Sequence, residues 1–145
     1  MNLRPPDKEE NALSGDPYFI LLAAIRRPHN PCVGTRLLSE DARVRVWEIR
    51  LQPGERIGFH RHVLDYFWTA GTPGRARSHN PDGPSTETTY AAGETKHHVY
   101  GPGEYKVHDL ENVGSTELVF TTVEFLQSAN APLSIPSGKL ACAAK

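Results

Sequence analysis

Turn-forming residues recur at short intervals between residues 43 and 126, and this spacing constrains the fold more than any other feature. The turns are Pro53-Gly54, Gly71-Thr72-Pro73-Gly74, Pro81-Asp82-Gly83, Ala92-Gly93, Gly101-Pro102-Gly103 and Gly114-Ser115. Proline fixes φ and glycine permits a positive φ, so each group can reverse the chain tightly. The short extended runs between these turns predict an antiparallel all-β sandwich or barrel with little helix.

Eight strands are predicted, and eight strands with tight turns are typical of a jelly roll. They are Arg43 to Leu51, Arg56 to His62, Asp65 to Ala70, Arg75 to Asn80, Glu87 to Ala91, Thr95 to Tyr100, Tyr105 to Leu110 and Glu117 to Leu126. A further extended run, Cys32 to Leu38, precedes them. We therefore expect an N-terminal extension over 1–30, a barrel over 31–127 and a surface tail over 128–145.

Length and charge limit the classes of function. A chain of 145 residues fits one domain, and its formal net charge of -1 comes without a basic face, so neither nucleic acid nor a membrane is an expected partner. The most apolar stretch, Tyr18 to Ile25, is too short to span a membrane and is expected to pack on the barrel or a partner subunit. No secretory leader is recognised, which predicts a cytoplasmic location with Cys32 and Cys142 as reduced thiols.

The motif His60-Arg61-His62 lies in one of the predicted strands. Side chains two apart on a strand point to the same face, so both imidazoles should face one way. Imidazole is the commonest transition-metal ligand in proteins. Taken alone, the pair fits either two ligands of one metal ion or a hydrogen-bonded pair on a strand surface.

The surrounding residues resemble the two motifs of the cupin family. In the first motif, Gly54 stands six residues before His60, and Asp65 and Gly71 follow the histidine pair. The second motif begins at Gly93 and continues through the residues Pro102, Gly103, His108 and Asn112. Two motifs in this order are more specific than either one alone. The chain is also similar to small RmlC-like bacterial cupins associated with β-alanine degradation.

The resemblance implies a double-stranded β-helix that binds one divalent metal ion through His60, His62 and His108. The family's fourth ligand is a glutamate, for which this sequence has Asp65 one position early. Asp65 is therefore a candidate ligand if Val63-Leu64 bends, and otherwise a hydrogen-bond partner or a salt-bridge residue at the strand end. Tyr66, at the usual glutamate spacing, is the alternative.

Three residues are candidate catalytic groups around the metal: His98, Arg56 and Tyr66. Of the adjacent His97 and His98, only one can face the barrel interior. Strand alternation puts Arg56 on the face of His60, where its guanidinium could bind a carboxylate, and puts Lys106 on the face of His108. His29 and His79, beside turn signals, are expected at the surface.

The predicted function is that of a metal-dependent enzyme acting on a small polar or carboxylate-bearing metabolite. Fe(II) is the first choice, and Mn, Ni, Zn and Cu also suit these ligands. Iron implies an oxidoreductase of the dioxygenase type, whereas Zn or Mn implies a Lewis-acid isomerase or lyase. The alternative is a non-catalytic module that binds a metabolite or sugar. Since cupins commonly pair, a homodimer is expected.

Overall fold

Nine β-strands make up the regular structure of residues 30–135, which are the residues that the computed structural model describes, and this part of the chain has no helix. The strands are β1 (Arg36–Glu40), β2 (Val44–Leu51), β3 (Arg56–His62), β4 (Tyr66–Ala70), β5 (Gly74–Asn80), β6 (Gly83–Tyr90), β7 (Thr95–His98), β8 (Lys106–Asn112) and β9 (Leu118–Phe125). The all-β prediction is confirmed.

The strands form two antiparallel sheets with a jelly-roll order. The first sheet runs β1-β2-β9-β4-β7 and the second runs β3-β8-β5-β6. The central pair β2 and β9 is in register over its full length, from Val44 opposite Phe125 to Leu51 opposite Leu118. Buried and more exposed positions alternate along both strands, which is the pattern of a sheet with one face on a core.

The main core is an apolar cluster between the sheets. It comprises Ile49, Leu51, Ala70, Ala76, Leu118 and Phe120. Burying a side chain the size of Leu118 or Phe120 contributes about 1.5–3 kcal/mol. A second cluster of Val33, Leu37 and Trp47 is packed against Cys32 and Ile135, so residues at both ends of the described range contact it.

The starts of two strands differ from the sequence prediction by four residues each. The run from Cys32 yields β1 only from Arg36, and this gives a ninth strand. Strand β6 begins at Gly83, four residues before the predicted Glu87, because Asn80 pairs with Gly83 and only two residues form the turn between them. A two-residue hairpin lets both strands continue to the turn.

A β-bulge in β3 changes which side chains face the interior. Ile57 pairs with Leu110, and His60 pairs with His108. Two residues separate Ile57 from His60 in β3, whereas only one residue separates Leu110 from His108 in β8. The extra residue shifts the alternation by one position. Ile57 and His60 therefore both face the interior, and Arg56 faces outward.

The prediction that Cys32 is a reduced thiol is wrong, because Cys32 is disulfide-bonded. Cys142, the apolar stretch Tyr18 to Ile25 and His29 lie outside the described residues. The described residues contain no candidate membrane-spanning helix.

Candidate metal centre

Three histidines converge on the inner face of the second sheet. His60 and His62 come from β3, and His108 comes from the neighbouring β8, directly opposite His60. One nitrogen from each ring lies within 4.8 Å of the others. Among the described residues this is the one group of three or more His, Cys, Asp or Glu side chains close enough to hold a metal ion. Their ring centroids are 4.7–5.0 Å apart.

Hydrogen bonds fix the outward-facing nitrogen of two of these rings. His60 Nδ1 lies 2.9 Å from the carbonyl oxygen of Gly58 and must donate to it. Ser78 donates its hydroxyl proton to the carbonyl of Asp109, so the same hydroxyl accepts from His108 Nδ1 at 3.1 Å. Both rings are left with an unprotonated Nε2, which is the form that binds a metal.

The third ring has a buried nitrogen without a partner. His62 Nε2 lies 3.0 Å from His108 Nε2, while His62 Nδ1 is buried and makes no hydrogen bond. Two nitrogens bound to one tetrahedral Zn²⁺ would be roughly 3.3 Å apart, given a Zn–N distance of about 2.05 Å. The spacing of this pair is close to that value, so His62 and His108 fit one divalent metal ion, and a nitrogen of His60 lies within 4.8 Å of theirs.

Burial keeps the three imidazoles neutral. Desolvation lowers the pKa of His60 to about 4 and lowers the pKa of His62 and His108 well below the ordinary value, and the neighbouring histidines add to the effect at the latter two. Metal ions bind neutral imidazole, so no proton has to be removed from an imidazolium near neutral pH.

The structure does not bring Asp65 to the histidines. Its carboxylate Oδ1 accepts a hydrogen bond from the backbone N–H of Tyr100 at 3.0 Å, and its own backbone N–H donates to Ser128. Asp65 immediately precedes β4, where it links that strand to the segment after β7. This corrects the expectation that a bend would turn the carboxylate toward the metal.

Tyr66 and His98 extend the histidine cluster across to the first sheet. The Tyr66 ring is stacked between His62, at a centroid distance of 4.3 Å, and His98, at 4.6 Å. Burial raises the pKa of Tyr66, so its hydroxyl stays protonated. Burial also lowers the pKa of His98, with smaller contributions from Lys96 and Lys106. His97 faces the other way and contacts Phe67.

Arg56 lies outside the cavity, which corrects a second expectation. Its Nε donates to Asp109 Oδ2 at 2.7 Å. The Asp109 carboxylate, which is fully buried, also accepts from the backbone N–H and the Nδ1 of His79. The β-bulge is the physical reason, because it reverses the alternation that placed Arg56 beside His60. His79, predicted at the surface, is partly buried by this contact.

The histidine cluster opens into a cavity of about 260 Å³. Its apolar wall contains Ile49, Trp68, Tyr90, Leu110 and Phe120, and its polar wall contains Ser78, Asn80, Thr86, Thr88 and Thr122. Lys96, Lys106 and His98 also line it. The sequence interpretation missed Lys96, although it lies two residues before His98 on one strand and therefore shares its face.

Ser78 and Asp109 were also missed. Ser78 could not be singled out from the sequence because a serine in a strand has no distinctive pattern. Asp109 follows His108 directly, so alternation places its carboxylate on the opposite face, where it ties β8 to Arg56 of β3 and His79 of β5.

Solved structures of similar fold were found by comparison, whereas no family model and no curated protein matches the sequence. A cupin domain from Bordetella pertussis Tohama I is 29% identical, with a TM-score of 0.53, over 67% of this chain and 95% of that chain. A protein from Bacillus halodurans is 21% identical, with a TM-score of 0.51, over 83% of both chains, and this likeness concerns the fold alone.

The two sheets have the jelly-roll order, the histidines of both sequence motifs meet between them, and a cupin domain of similar sequence has a similar fold. The association with β-alanine degradation stays a prediction. The chain belongs to the cupin superfamily.

Proposed function

We propose that this chain is a mononuclear metal-dependent enzyme that acts on a small, carboxylate-bearing metabolite. The observation that carries the proposal is the cluster of three neutral histidines, with His60 and His62 buried and His108 half-buried, on the wall of a 260 Å³ cavity. A structural zinc site normally has four protein ligands, whereas a catalytic site has three and keeps a position for water or substrate.

His60, His62 and His108 would hold the metal. Imidazole ligands suit Fe(II), Mn(II), Ni(II), Zn(II) and Cu(II), and Fe(II) remains our first choice. When bound, iron would supply dioxygenase-type oxidation, and zinc or manganese would polarise a substrate oxygen for isomerase or lyase chemistry. Ser78 and the carbonyl of Gly58 would keep Nε2 of His108 and His60 directed at the ion.

His98 is the proposed proton acceptor. Its ring lines the cavity, and its lowered pKa keeps it neutral near neutral pH, so a ring nitrogen can take a proton from the substrate. Tyr66 positions this ring by stacking on it. The lysines of the cavity favour an acidic substrate, and the apolar wall excludes water from its carbon atoms.

The test is a screen of small carboxylic acids with protein loaded with Fe(II), Zn(II) or Mn(II). Oxygen uptake reports oxidation, and NMR of the substrate reports non-redox conversion. We expect turnover with one metal, loss of that turnover in His98→Gln with metal content unchanged, and full turnover in the matched variant His97→Gln. Equal activity in the two variants would remove His98 from the reaction.

A binding module is the second candidate, and one observation favours it. Thr86 and Thr88 line the cavity, and their hydroxyl groups can bind a polyol or sugar without chemistry. Tight binding of a sugar by the metal-loaded protein, with no conversion of any ligand that binds, would favour this candidate over the enzyme.

A further inference from the structure

We propose that Lys96 and Lys106 form an anion-binding subsite, so that the ligand of this cavity is a small molecule with two anionic groups. One group would lie at the histidine cluster and the other between the lysines. The anion subsite is inferred from the positions of the two lysines alone. The role of a second anionic group in a substrate rests on the function proposed above.

The two lysines reach the same cavity from different sheets. Lys96 lies on β7, at the edge of the first sheet, opposite Trp68 of β4. Lys106 lies on β8 in the second sheet, directly opposite His62. The Cβ atoms of Lys106 and His62 are therefore about 5 Å apart. Both side chains line the cavity together with His98. An anion held between the lysines would therefore lie within the reach of one small molecule from the histidines.

Neither lysine has a carboxylate partner among the described residues. Glu94 is the acidic residue that lines the cavity, but its Oε1 accepts a hydrogen bond from the backbone N–H of Ala91 in the turn before β7. Residues 30–135 contain no lysine other than these two. Like charges in one partly enclosed cavity repel each other, and a bound anion would offset that repulsion.

The volume of the cavity suits a small ligand. A volume of about 260 Å³ corresponds to roughly nine water molecules at about 30 Å³ each. A four-carbon dicarboxylate has a similar number of non-hydrogen atoms and carries an anionic group at each end. The apolar Trp68 and Phe120 would contact the carbon atoms between the two ends.

The experiment compares succinate with butyrate, which has the same carbon chain and one carboxylate. Isothermal titration calorimetry is performed on zinc-loaded and zinc-free protein. With zinc bound, we expect succinate to bind about tenfold more tightly than butyrate. Lys96→Gln and Lys106→Gln should each reduce this preference by about threefold, as expected for a partly exposed ion pair. Lys106→Arg keeps the charge and should keep most of the preference.

Arg43→Gln is the matched control, since it removes one positive charge from an exposed position and should leave the preference unchanged. Far-UV circular dichroism checks that each variant is folded. A wild-type protein without preference for succinate, or lysine variants that retain it in full, would overturn the inference.

If the protein binds no zinc, the proposed function fails separately. In that case, the zinc-free protein gives the test. If it binds succinate and both glutamine variants lose this binding, the subsite is supported, and if the variants bind succinate as the wild type does, the subsite is refuted.

Discussion

Replacing Arg56 by alanine distinguishes a side chain on the outer face of the second sheet from one inside the cavity. In the structure Arg56 Nε donates to Asp109 at 2.7 Å on the outer face of the second sheet. Asp109 is fully buried, whereas the Arg56 side chain is 43% exposed. The substitution leaves the carboxylate with two donors, the backbone N–H and Nδ1 of His79. We therefore expect loss of stability without loss of ligand binding.

The magnitude follows from these contacts. A hydrogen bond to a charged group contributes about 1.5–3 kcal/mol, and water can reach part of the site after truncation, so the lower end of that range applies. For a chain of this length, a loss of about 1.5 kcal/mol lowers Tm by roughly 5 °C. Arg43→Ala, at an exposed position, should change Tm by about 1 °C or less.

Urea denaturation gives the free energy of unfolding, and calorimetric titration gives the affinities for zinc and succinate. The account predicts a destabilised Arg56→Ala protein whose two affinities change by less than about twofold. A variant of unchanged stability that binds succinate tenfold more weakly would refute the reasoning, because it would place Arg56 in the cavity.

Three further predictions concern the histidines and Glu124. Ser78→Ala removes the acceptor for His108 Nδ1 and should lower zinc affinity about tenfold in a chelator competition; an unchanged affinity would contradict the role given to Ser78. Because His60 has a pKa of about 4, zinc affinity should vary by less than about threefold between pH 6 and 8, and a tenfold fall at pH 6 would argue against neutral imidazoles. Burial raises the pKa of Glu124 from 4.5 to about 7, so its contribution to stability, present below pH 4.5, is lost as pH rises through about 7. Glu124→Gln should remove a decline of about 3 kcal/mol in unfolding free energy over that window, and parallel stability curves for the two proteins would contradict the assignment.

Strand alternation and turn chemistry predicted much of this fold. The turn groups located strands β2 to β9, an inference that depends on local patterns in a single sequence. The resemblance of the two histidine motifs to those of the cupin family implied that His60, His62 and His108 meet. Alternation also predicts that one residue of the adjacent pair His97 and His98 faces the interior, and the structure places His98 there.

The errors arose where alternation is interrupted or where distant segments meet. The bulge in β3 lies at Gly58 and Phe59, and strict alternation continued through that isolated glycine puts Arg56 on the wrong face. Asp65 lies at a strand end, where its direction depends on the approach of Tyr100, thirty-five residues further along. The face that Lys96 shares with His98 follows from alternation, but its proximity to Lys106 does not, because Lys106 comes from the other sheet.

The metal content of the purified protein tests the central claim most directly. The protein is purified without added metal or chelator and analysed by elemental mass spectrometry beside His60→Ala and the control His97→Ala. The account predicts close to one equivalent of a divalent transition metal in the wild type and in His97→Ala, and less than about a tenth of that in His60→Ala. Equal metal content in all three proteins, or none in the wild type even after reconstitution, would contradict it.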